Sequence, residues 1–94
     1  MNQRAYEDFT KADAELTNLC EQLTSGMEPD ERTAFEELQG AWEKYREKKA
    51  EVAASAFEGG TAAPLVYYSE LHSVTEARVD ELKMELKTRA ELYG

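Results

Sequence analysis

One cysteine, two prolines and no apolar run of any length leave this chain of 94 residues few ways to be stapled, broken or inserted. Cys20 has no internal partner, so the fold must be held by packing rather than by a disulfide. No stretch approaches the roughly 18 apolar residues that a bilayer crossing needs. The opening MNQRAYEDFTKADAEL has no apolar centre of a signal peptide, so a soluble chain without a membrane partner is expected. Positive charge is also scarce: 11 Lys and Arg stand against 20 Asp and Glu, a formal charge of −9. That balance disfavours direct contact with nucleic acid or an anionic membrane and leaves a protein partner, more readily a basic one. Part of the charge simply solvates helix faces. Missing too are a serine nucleophile motif, a phosphate loop and a catalytic dyad. His72 and Cys20 are too few for a zinc site. Neither cofactor nor metal is expected, and an enzyme is the least expected class.

What is present is helical periodicity over a length that suits one domain, residues 1–94. Tyr6, Phe9, Leu16, Leu19, Cys20 and Leu23 fall at three-and-four spacing, interrupted by Asp13. Gly26 then offers a stop, and Pro29 with Asp30 and Glu31 offers a start. A second stripe runs Phe35, Leu38, Trp42, Tyr45, Val52 and Ala56, with only Gly40 as a weak break. The third runs Leu65, Tyr68, Leu71 or His72, Thr75, Val79, Leu82, Leu86 and Tyr93. Between the last two lies AFEGGTAAP, where Gly59 can take a left-handed conformation to close the second helix and Thr61 can cap the third. The pattern predicts an all-α, antiparallel three-helix bundle with a long central helix, its helices near 3–25, 29–58 and 62–93. In that arrangement Lys44, Arg46, Lys48 and Lys49 come alongside Glu7, Asp8, Asp13 and Glu15.

Four segments, DAELTNLCEQL at 13–23, QGAWEKYRE at 39–47, EGGTAAPLVYYS at 58–69 and VTEARVDEL at 74–82, together resemble the LprI-type family of small bacterial helical domains, named for a lysozyme inhibitor. The matching positions are Asp13, Leu16, Gln39, Trp42, Tyr45, Arg46, Gly59, Gly60, Thr75, Arg78 and Leu82. Thr17 and Cys20 replace the family's asparagine and tyrosine, and Thr61 replaces a serine of equal capping ability. Ala50 and Glu70 stand where the resemblance implies two cysteines that pair in exported relatives. Their joint loss points to a cytoplasmic member, or to an exported one if the chain is a processed form.

The resemblance implies a noncatalytic protein-binding or inhibitor module whose acidic helical surface engages a protein partner. Two alternatives stay open: an intracellular immunity- or phage-type antagonist that imitates nucleic-acid phosphates, and an assembly module using an exposed apolar strip such as Val66, Val74 and Leu92. Asp13, Gln39, Arg46 and Arg78 form the candidate polar node, in which Asp13 accepts hydrogen bonds from Arg46 or Arg78. Gly59, Gly60 and Thr61 are the loop signature. Tyr67, Tyr68, Glu58 and Glu70 are candidate partner contacts. Trp42 and Tyr45 are expected in the core and Cys20 as a small buried group. The target and the oligomeric state are not written in the pattern.

Overall fold

The computed structural model describes residues 2–93, which form three helices: α1 (Asn2–Ser25), α2 (Pro29–Ser55) and α3 (Ala63–Tyr93). No strand occurs among the described residues. The result is an elongated helical bundle of 50 × 22 × 15 Å.

Local signals account for the ends. α1 stops at Ser25, and Gly26 follows in a tight turn, its amide donating to the Leu23 carbonyl at 3.2 Å. The Thr24 carbonyl accepts from the Met27 amide at 3.1 Å and from Arg32 Nη2 at 2.9 Å, so this acceptor at the helix end is met twice. Glu28 precedes α2 in extended backbone, Pro29 supplies the first turn, and Asp30 and Glu31 face the positive end of the helix dipole.

The second reversal differs from expectation. α2 stops at Ser55 rather than 58, because residues 56–58 tighten into turns with Phe57 and Glu58 amides on the Ala54 and Ser55 carbonyls. Gly59 does adopt a left-handed φ of 83°, but four residues beyond the helix end, where it bends the loop. Ala62, not Thr61, holds the start of α3, its carbonyl accepting from the Val66 amide at 3.0 Å.

Cross-helix pairs fix the directions. Thr24 meets Arg32 and Asp13 meets Arg46, so α2 runs back along α1. Gln39 meets Arg78 and Lys49 meets Glu70, so α3 runs back along α2. Tyr6 meets Tyr68 and Glu15 meets Lys83, so α1 and α3 lie parallel. α3 packs along both other helices, whereas the backbones of α1 and α2 stand further apart and meet through long side chains such as Arg46 and Phe35. The core cluster is therefore Leu16, Leu19 and Leu23 of α1 against Val79 and Leu82 of α3, with Phe35 and Trp42 of α2 laid over it. Burying each such aliphatic side chain contributes about 1.5–3 kcal/mol.

The inward face of α2 corrects the apolar reading. Phe35, Gln39, Trp42, Arg46 and Ala50 turn inward, and Ala50 is fully buried. Leu38, Tyr45 and Val52 lie about 100° round the helix and are exposed, at 56%, 54% and 72%. Ala56 has left the helix and is exposed as well. On α3, Leu71 rather than His72 takes the core position, Val74 is buried instead of lining an exposed strip, and Leu65 and Tyr93 face solvent.

Candidate functional site

Gln39 and Arg46 on the inward α2 face join Asp13 of α1 and Thr75 and Arg78 of α3 in a polar group that spans the three helices. Arg46 Nη1 donates to Asp13 Oδ1 on α1 at 2.6 Å and to Thr75 Oγ1 on α3 at 3.1 Å. One nitrogen thus joins all three helices. One turn along α3, Arg78 donates through Nε and Nη2 to Gln39 Oε1 at 3.1 and 2.9 Å, and through Nη1 to Glu81 at 2.7 Å. The Trp42 ring lies near both arginines, 4.8 Å from the Arg46 guanidinium carbon and 5.9 Å from that of Arg78. Phe9 offers Arg46 a second ring at 5.2 Å. Such contacts suit guanidinium, which is flat and weakly hydrated, and they shield its charge without removing it.

Burial is uneven across this layer. Thr75 is completely buried and the Arg46 side chain nearly so, whereas the Asp13 side chain is 40% exposed. Asp13 opens on a groove of about 360 Å³ between α1 and α2. Its floor includes Leu16, Cys20, Phe35 and Gly40, and its rim carries Asp13, Glu21, Glu36 and Glu43. Burial pushes the Cys20 thiol above its ordinary pKa, an effect that Arg78 partly offsets.

The remaining sequence candidates are dispersed. Asp13, Gln39, Arg46 and Arg78 come together in the layer, with Arg78 turned to Gln39 and Glu81 instead of to Asp13. Gly59, Gly60 and Thr61 lie exposed in the loop with Glu58. Glu70 sits half-buried and pairs with Lys49 at 3.1 Å, a hydrogen bond that raises the lysine pKa. Tyr67 and Tyr68 are both half-buried, joined edge-to-face with Tyr6 in a chain of rings. Burial raises the Tyr67 pKa. Of the four cations expected beside α1, only Arg46 bonds to it; Lys48 turns to Glu51 and Lys49 to Glu70. His72 Nε2 lies 2.7 Å from Glu76 on the same helix, apart from the polar layer. Among the described residues no three of His, Cys, Asp and Glu converge to hold a metal ion, and no helix is long and apolar enough to cross a membrane.

Two features escaped the sequence reading. Thr75 sits on the apolar stripe of α3, where a buried hydroxyl implies a partner on another helix. The groove has no signal in the periodicity, because it arises from the separation between the α1 and α2 backbones.

Comparison with protein families matches residues 1–82 to the family described as lysozyme inhibitor LprI. No curated protein and no solved structure matches the chain. The matched span contains the whole polar layer and the groove.

Proposed function

The chain belongs to the LprI lysozyme-inhibitor family, and from that membership we propose that it is a noncatalytic module that binds a protein partner through its acidic helical surface and blocks the partner's action. The family match over residues 1–82 carries this reading. The chemistry of the chain supports it. The ionisable groups of the polar layer are paired, Asp13 with Arg46 across helices and Arg78 with Glu81 along one, which suits a scaffold rather than a reacting centre. The excess of carboxylates, 20 against 11 cations, favours a basic partner and speeds its encounter. Since Cys20 is the sole cysteine, the fold can form in a reducing compartment as well as an oxidising one.

The test is a cell-wall lysis assay with a basic lysozyme titrated by this protein. Inhibition that saturates at equimolar protein supports the proposal; undiminished lysis at a large excess removes lysozyme as the target. A second reading, self-assembly, is favoured by the exposed row Leu38, Tyr45 and Val52 on α2. A concentration-independent monomer in sedimentation equilibrium would eliminate it.

A further inference from the structure

We propose that the groove between α1 and α2 is the docking surface for the partner, and that its occupant is a basic amphipathic segment of a protein whose Lys or Arg side chains lie along the groove. This rests on the protein-binding reading above and specifies where that binding occurs.

The groove combines an apolar floor with a carboxylate rim. Leu16, Cys20 and Phe35 offer surface for the methylene stem of a long cationic side chain. Gly40 adds room, since a Cβ built there meets nothing within 4 Å. No Lys or Arg lines the groove. Among the described residues, Glu21, Glu36 and Glu43 make no ion pair, and Asp13 uses only Oδ1, towards Arg46. Outside the groove some carboxylates, such as Glu15, Glu31 and Glu70, meet a cation, and others among the described residues, such as Glu37, Glu58 and Glu91, stand unpaired as well. What sets the rim apart is that three unpaired carboxylates gather beside Asp13 on a half-apolar bed whose lining holds no Lys or Arg.

The register shapes the occupant. The Thr24–Arg32 and Asp13–Arg46 pairs place Glu21 across from Glu36, and put Glu43 about one turn from the Arg46 that faces Asp13. These two acidic steps lie about 12 Å apart along α1, too far for one ion. Basic side chains two helical turns apart on one incoming segment span that distance, with apolar residues between them over the floor.

The experiment compares two charge-matched triple variants, Glu21→Lys/Glu36→Lys/Glu43→Lys in the groove and Glu7→Lys/Asp80→Lys/Glu91→Lys outside it, each first shown by circular dichroism to be helical. If the wild type binds a basic lysozyme, the groove variant loses about thirtyfold or more in affinity and the outer variant about threefold or less. Equal losses, or none in the groove variant, overturn the proposal. If the wild type does not bind lysozyme, that target falls, and the groove is decided by a synthetic amphipathic helix carrying lysines two turns apart. Saturable protection of Cys20 from alkylation by this peptide, absent in the groove variant, supports the site; alkylation unchanged at saturating peptide overturns it.

Discussion

Thr75, with no surface exposed, presents its hydroxyl oxygen to Arg46 Nη1 at 3.1 Å. The contact links α3 to α2 at the point where Arg46 also holds Asp13 of α1. Thr75→Val keeps the shape and removes the acceptor, so it should cost about 1 kcal/mol. Arg46→Lys keeps the charge but gives up the flat ring contacts with Trp42 and Phe9, and should cost about 1–2 kcal/mol. Urea titration followed by the fluorescence of Trp42, the single tryptophan, measures both. Unchanged midpoints for both variants would mean that the layer does not hold the helices together.

Leu23 and Leu38 look alike in the periodicity but not in the fold. Leu23 is 1% exposed within the α1–α3 cluster and Leu38 is 56% exposed. Leu23→Ala should destabilise by about 2–5 kcal/mol, and Leu38→Ala by no more than about 0.5 kcal/mol. Thermal unfolding of the pair checks the ranking.

The two glycines that flank the second half of α2 should respond with opposite sign. Gly40 lies mid-helix with open space where a Cβ would go, so Gly40→Ala should stabilise by about 0.5–1 kcal/mol. Gly59 has φ of 83°, where an L side chain is strained, so Gly59→Ala should destabilise by about 1 kcal/mol. Chemical denaturation of both variants against the parent reads the two signs in one experiment.

Burial raises the Cys20 thiol above the ordinary value of 9.0, so at neutral pH less of it is thiolate than in the unfolded chain. Alkylation should be slower for the native protein than for the protein in urea, and should quicken as pH climbs through the raised value. The fold favours the protonated thiol. Its contribution is therefore intact below the unfolded pKa and is lost as pH rises through the folded one. Alkylation at the unfolded rate at every pH would show that the thiol is not shielded.

The helices and their reversals were legible because spacing and punctuation are local properties of a chain. Leu16, Leu19, Leu23, Val79 and Leu82 follow directly from three-and-four spacing. α2 was harder to read. An apolar count selects Leu38, Tyr45 and Val52, yet the face that meets α1 and α3 carries Gln39 and Arg46 beside Trp42. Two long polar side chains can face inward when a ring and fixed acceptors await them, and a hydropathy pattern has no means of registering those acceptors on other helices. The groove was illegible for a related reason: it depends on α3 taking most of the packing from both neighbours. Likewise the end of α2 at Ser55 is set by turn hydrogen bonds, which the later glycines only follow.

The proposed capture of a basic protein by acidic helical faces is tested most directly by the affinity of this protein for a basic lysozyme at several salt concentrations. Screening shortens the reach of charge from about 30 Å at 0.01 M to about 8 Å at 0.15 M. The dissociation constant should therefore rise steeply between those two conditions, with most of the change in the association rate. Binding that is absent at low salt, or equally tight across the range, would contradict the account.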